Sequence, residues 1–198
     1  LSTWVEAEAA YKTRAANLGG GMATRVAMAA AQLCFETLME YGLEAKRAVE
    51  NRVLTPAVEK VIETNVLHSG LGFESGGLAT AHMIGNALSS YPECHNLMHG
   101  EKVGFGIISQ LCLDDDVDMD EVYAIVDFEI HVGLPVTFAD LNLVDVTREK
   151  LTPIAEACAG EGSLCANHPF DVSVDSVIDA MIAADALGRA RKELLGVD

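Results

Sequence analysis

The segment of residues 75–104 has the clearest potential for chemistry, because it carries several closely spaced histidines. His82 lies within the apolar run LATAHMIGNAL, and His95 and His99 follow Pro92 within a few residues. Neutral imidazole is the side chain that most commonly binds metal ions in proteins. A helix, a turn and a second helix can bring such imidazoles to one point, so this segment predicts a metal site.

The spacing of these histidines is compatible with a local metal-binding pair. His95 and His99 are one helical turn apart, as in zinc-binding helices that use positions i and i+4. Pro92 and Gly100 bracket the pair, however, and both residues disturb regular helix geometry. A di-iron carboxylate bundle would need two Glu-x-x-His motifs. The sequence contains no Glu-x-x-His, which excludes the di-iron site.

Length and composition indicate a helical domain without nucleic-acid or membrane partners. The 198 residues suffice for one domain with its own core, and 50% of them are hydrophobic while only 6% are aromatic. Abundant Ala and Leu favour helices over strands. The net charge of −17 argues against binding to nucleic acids or anionic membranes, which requires a basic surface. No apolar run approaches the roughly 20 residues of a membrane span.

The five cysteines are odd in number and widely scattered, and none forms a Cys-x-x-Cys motif. This pattern favours reduced thiols and a cytoplasmic location over disulfides or a zinc ribbon. Cys34 and Cys112 are predicted to be small core residues. The chain has no signal-like start. Because the first residue is Leu1 rather than Met, we expect the natural N-terminus to lie upstream.

Helices are predicted along the whole chain, and no run alternates with the period of a strand. Gly42 is predicted to end an apolar, fully buried second helix as its C-cap. The glycine-rich residues 71–77 are predicted to form a hinge in front of the His82 helix. The predicted helices span residues 1–16, 22–41, 43–51, 56–68, 78–88, 101–113, 118–132, 147–159 and 177–187.

Several other polar residues have explanations that involve no chemistry. Glu74 is predicted to be an anion at the start of the helix that follows it. The acidic run at 114–116 lacks the Gly and final Glu of a calcium loop and is interpreted as a solvated loop. His68 and His131 are predicted to be ordinary helix residues, and His168 is expected in a surface turn.

The order of several motifs resembles the glycerol dehydrogenase branch of the iron-containing (group III) alcohol dehydrogenases. The segments GFESGGLA, HNLM and HGEKV follow the family's order and spacing, and the similarity runs from LSTWVEAEAA to ALGRARKELLG. Family members have an N-terminal nucleotide-binding α/β domain and a C-terminal all-helical domain. The chain matches the second only, so the resemblance implies one all-α, dehydroquinate synthase-like domain over residues 1–198.

The resemblance also implies a zinc site. In the family an aspartate and two histidines hold the zinc, and these histidines match His82 and His99. The aspartate would lie two residues before Leu1, so we expect weak zinc binding by this chain alone. His95 then only orients or flanks the site, and Phe73 helps to wall the substrate pocket. No further catalytic residue and no cofactor-binding residue is expected in the chain.

The activity that the resemblance implies is the NAD-dependent oxidation of glycerol, or a similar diol, to dihydroxyacetone. A zinc with an open position acts as a Lewis acid on the substrate hydroxyl, which favours hydride transfer to the nicotinamide. NAD is not expected to bind this chain alone, because the nucleotide domain is missing. The family forms homo-octamers through this half, so self-association is expected. The alternative is a truncated helical domain that folds and self-associates without catalysis.

Overall fold

The computed structural model describes residues 1–197, and these form an all-helical protein, which confirms the predicted fold class. The α-helices, labelled α1 to α9 in chain order, span Ser2–Thr13, Arg25–Glu50, Pro56–Glu63, Ser69–Gly76, Thr80–Leu88, His99–Leu111, Met119–Val132, Arg148–Ala159 and Val174–Leu195. A π-helical turn, Thr64–His68, joins α3 to α4, and 3-10 turns lie at Pro92–Cys94 and Leu164–Asn167. Within the described range, none of the helices is both long and apolar enough to cross a membrane.

Several helix ends lie where local sequence signals predict them. The hydroxyl of Thr55 accepts the N–H of Val58, and Pro56 occupies the first turn of α3, where its missing N–H costs nothing. The side chains of Asp118 and Thr147 cap α7 and α8 in the same way. These ends were predictable because a cap depends on residues only two or three positions away.

The prediction that Gly42 ends the second helix is wrong. Helix α2 runs through a buried Gly42 to Glu50, because the following residues, LEAKRA, are strong helix formers and contain no breaker. The same helix was predicted to be buried all round. Val26 is in fact 79% exposed and Leu33 46% exposed, whereas Ala27, Ala31 and Cys34 form its buried side.

The predicted hinge at residues 71–77 is instead mostly helix α4, and its glycines serve close packing. A Cβ on Gly72 would lie 2.6 Å from Cγ2 of Thr3, and one on Gly76 would lie 2.7 Å from Cβ of Ala7. Any larger residue at either position would push α1 away from α4. The backbone turns only at Gly77, whose φ of 113° is a conformation that residues with side chains rarely adopt.

Contacts divide the described residues into two compact units. One contains Leu1–Ala79 and Asn167–Pro169, and the other contains Thr80–Ala166 and residues 170–197. In the first unit α2 and α3 share a small apolar cluster. In the second unit all five helices α5 to α9 contribute to one core, for example through Ile84, Phe105, Val126, Ile154 and Met181. The expectation of one domain over residues 1–198 stays a prediction.

The cysteines are free thiols, and their burial differs from one to the next. Cys34 is buried, as predicted. Cys112 is half-buried and packs against the edge of the core of the second unit. Desolvation there raises the pKa of its thiol to about 11.

Candidate metal centre

His82 lies in the first turn of α5 and is 92% shielded from solvent, being 8% exposed. The run TAHMIGNAL contains no proline or charged residue, and its buried positions fall on a helical face. The backbone turn at Gly77 directs the chain into this helix. The sequence therefore places His82 on a rigid, buried element, as the apolar run predicted.

His99 is the first residue of α6, and its side chain is exposed. The carboxylate of Glu101 accepts the N–H of Met98 at 2.6 Å, which satisfies one of the free amide groups at this helix end. The predicted helix start at residue 101 was therefore two residues late. The difference matters, because it places His99 on the helix rather than in the preceding turn.

The two helices bring His82 and His99 together. Their ring centroids are 5.6 Å apart and the ring planes are inclined by 46°. Adjacent, tilted imidazoles are compatible with two nitrogens that converge on one metal ion, since zinc–nitrogen distances are about 2.0–2.1 Å. One ring is buried and the other exposed, so the pair lies at the edge of its unit, open to a small ligand.

Glycines allow α5 and α6 to pack in backbone contact. A Cβ on Gly106 would lie only 2.3 Å from the carbonyl oxygen of Ala81, a distance that real Cβ atoms do not show. A Cβ on Gly85 would lie 3.1 Å from the backbone nitrogen of Val103. The helices that carry the two histidines are thus as close as their backbones permit, and small residues at these crossings maintain that distance.

The pair fits two positions of a zinc site, since imidazole is a usual zinc ligand. Within residues 1–197, no group of three or more His, Cys, Asp or Glu side chains is arranged to hold a metal ion. A catalytic zinc takes three protein ligands and one exchangeable position. His82 and His99 would fill two of these three protein positions, and their role as zinc ligands stays a prediction.

The remaining histidines differ from this pair in their surroundings. His95 is exposed in the turn that follows Pro92–Cys94, and its part in the site stays a prediction. His68 and His131 interact with their own helices, through Thr64 at 3.4 Å and the carbonyl of Asp127 at 2.6 Å, respectively. The prediction of a surface position for His168 is wrong, because its side chain is buried.

Phe73 and Glu74 lie on α4, in the other compact unit. Phe73 is half-buried, and its role in a substrate pocket stays a prediction. Glu74 is exposed within the helix and does not cap α5, so that prediction is wrong. Glu6, a completely buried residue of α1, accepts the N–H of Ala79 at 2.9 Å.

Gln110 is a residue of this centre that the sequence did not reveal. Its side chain is 3% exposed, and its Oε1 accepts the N–H of Ala81, the neighbour of His82, at 3.0 Å. An isolated glutamine in an apolar helix carries no recognisable signal. Only the packing of α6 against α5 shows that its carbonyl oxygen serves the start of the His82 helix.

Glu129 is a second residue with an unexpected environment. It lies on α7, completely buried, and neither carboxylate oxygen has a hydrogen-bond partner within the described part of the chain. A Cβ on Gly104 would lie 3.7 Å from both oxygens, so the missing side chain of that glycine leaves the carboxyl its space. Desolvation raises the pKa of Glu129 well above its ordinary value of 4.5.

Comparisons with known proteins agree with the motif resemblance. The chain is 45% identical over 196 residues to a glycerol dehydrogenase from Thermotoga maritima, a match that covers 98% of this chain and 53% of that protein. It is 43% identical over 189 residues to a glycerol dehydrogenase from Citrobacter freundii, a match that covers 96% of this chain and 52% of that protein. No protein-family model matches the chain.

The fold is also similar to that of solved glycerol dehydrogenase structures. The crystal structure of a glycerol dehydrogenase from Schizosaccharomyces pombe superposes with a TM-score of 0.93 at 34% identity, covering 99% of this chain and 50% of that one. The chain thus spans about half the length of the curated relatives it matches. The resemblance drawn from the motifs is confirmed: over nearly its whole length, this chain is similar to the helical half of the glycerol dehydrogenases.

Proposed function

We propose that this chain is the metal- and substrate-binding half of an NAD-dependent glycerol dehydrogenase in which His82 and His99 hold a zinc ion. The observation that carries the proposal is the adjacency of these two rings, 5.6 Å apart, in a chain whose relatives are glycerol dehydrogenases. The scattered free cysteines agree with a cytoplasmic enzyme.

When bound, the zinc would act as a Lewis acid that lowers the pKa of the substrate hydroxyl and favours its oxidation. His82 and His99 contribute neutral ligands, so an anionic third ligand and the nicotinamide site are expected outside the described residues. The buried position of His82 keeps one side of the site dry, and the exposed position of His99 leaves it accessible to a small polyol.

Binding of glycerol to the chain is expected to depend on zinc. Saturation-transfer NMR with the purified chain should detect glycerol and 1,2-propanediol when zinc is present, and neither compound when zinc is removed with a chelator. Two adjacent hydroxyl groups hold a ligand at a metal ion more firmly than one hydroxyl group does. 1-Propanol, which has a single hydroxyl group, is therefore the matched control and should give no signal. Glycerol signals of equal strength with and without zinc would contradict the proposal.

The same samples, assayed for NADH formation with NAD and glycerol, test whether the chain catalyses the reaction alone. We expect no turnover, because the resemblance places NAD binding outside these residues. Zinc-dependent glycerol binding without turnover supports a metal- and substrate-binding half. Absence of both zinc and glycerol binding would instead support the alternative, a helical domain that folds and self-associates without a catalytic role.

The chain is also proposed to self-associate through the exposed apolar side chains of its first unit. Ile62 and Val66 lie four positions apart on the helical run from α3 to α4 and are 53% and 78% exposed. Light scattering should give a multiple of the 21.1 kDa chain mass. The double variant Ile62→Glu/Val66→Glu should shift it towards the monomer, whereas Leu194→Glu, at an exposed site in the other unit, should not. A monomeric wild type would refute this.

A further inference from the structure

Helix α5 depends on other parts of the chain to satisfy its first amide groups. The first four N–H groups of a helix lack partners within the helix. The residue before α5 is Ala79, whose side chain offers no acceptor. The N–H of Ala81, one residue before His82, is bonded to Oε1 of Gln110 at 3.0 Å. A buried side chain from α6 thus serves as the cap for the helix that carries His82.

Gln110 and His99 lie on the same helix and on the same side of it. They are eleven positions apart, which is about three turns of an α-helix. Gly106 lies between them on the same stripe, and its Cα faces the carbonyl of Ala81. Ala81 is therefore held at its N–H by Gln110 and at its carbonyl by the close approach of Gly106. Both contacts come from α6, the helix that begins with His99.

We propose that Gln110 is a positioning residue for the metal centre: its bond to the Ala81 amide fixes the first turn of α5 on α6 and thereby sets the position of His82 relative to His99. Gln110 itself touches neither metal nor substrate in this role. The hydrogen bond is buried, so water cannot replace the lost acceptor without entering the helix interface. Residues that orient metal ligands in this way typically change metal affinity by about 10- to 100-fold when replaced.

The test compares Gln110→Met, which retains length and removes the acceptor, with Gln110→Glu, which retains it. A buried glutamate can accept a backbone amide in this protein, since Glu6 accepts the N–H of Ala79. Cobalt replaces zinc as the probe, since its visible absorption reports coordination geometry as well as affinity. We expect Gln110→Met to weaken cobalt binding about 10-fold or more and to alter the spectrum. Gln110→Glu should retain both, as should Gln32→Met on the exposed side of α2.

A second readout needs no metal and separates failure of this inference from failure of the proposed function, on which the cobalt readout rests. In the apo chain, ring-proton NOEs between His82 and His99 and slow exchange of the Ala81 amide are expected in wild type and Gln110→Glu. Both should be lost in Gln110→Met, or in Gln110→Asn if the methionine variant does not fold. Unchanged NOEs and exchange in these variants would overturn the positioning role, whether or not the wild type binds cobalt.

Discussion

Replacing Glu129 by methionine is expected to raise the free energy of unfolding at pH 7 by about 3 kcal/mol. A buried polar group without a partner costs about 1–3 kcal/mol, and more when it is charged. Glu129 is completely buried and both of its oxygens lack hydrogen bonds within residues 1–197. Methionine has a similar length, no polar atoms to satisfy, and a flexible chain that can adapt to the space beside Gly104. Urea unfolding followed by circular dichroism measures the difference.

The stability gain of Glu129→Met should increase with pH, because Glu129 is buried. Desolvation raises the pKa of Glu129 in the folded chain above its ordinary value of 4.5. Between pH 4.5 and the raised pKa, the folded chain holds a proton that the unfolded chain has released. The free energy of unfolding of the wild type therefore decreases as the pH rises. The stability difference between Glu129→Met and wild type should therefore grow from about pH 5 to pH 8.

Two variants separate this effect from general changes in charge or packing. Glu129→Gln keeps the shape and cannot ionise, so its advantage over the wild type should also grow with pH. Glu156→Met removes an exposed carboxylate from α8 and should change stability little at any pH. A destabilised Glu129→Met, or a difference that shrinks as pH rises, would show that the carboxyl has a stabilising partner in the folded protein.

Loss of either histidine of the pair is expected to abolish zinc binding by the chain. Two imidazoles are all that residues 1–197 bring to the proposed site, and one imidazole alone holds zinc too weakly to compete with water or buffer. His82→Ala and His99→Ala should therefore show no heat of binding in a calorimetric zinc titration. The wild type should bind measurably but weakly, since two imidazoles hold zinc less firmly than three protein ligands would.

His95→Ala is the matched control, since it removes an exposed histidine from the same segment. Its zinc affinity should equal that of the wild type. The opposite result, a silent His82→Ala and a damaging His95→Ala, would show that the local pair of His95 and His99 is the true site. His95→Ala and His99→Ala should melt at temperatures close to the wild type, because both side chains are exposed. His82 is buried, so circular dichroism must show that His82→Ala is folded before its zinc titration is compared.

The sequence by itself determined most of the helices and several of their ends. Apolar residues repeat at helical spacing, and caps such as Thr55, Asp118 and Thr147 act on amides two or three positions away. His82 could be assigned to an apolar helix for the same local reason. The family motifs supplied the choice of His82 and His99, which the spacing of the histidines alone left open against His95 and His99.

Only the tertiary structure decided which faces of these helices touch. The apparent hinge at residues 71–77 and the surface assignment of His168 were misjudged, because contacts with other parts of the chain determine the role of these glycines and the burial of this histidine. The burial of Glu129 and the bond from Gln110 to Ala81 join residues far apart in sequence. No local pattern encodes such pairs, since they depend on how α5, α6 and α7 pack together.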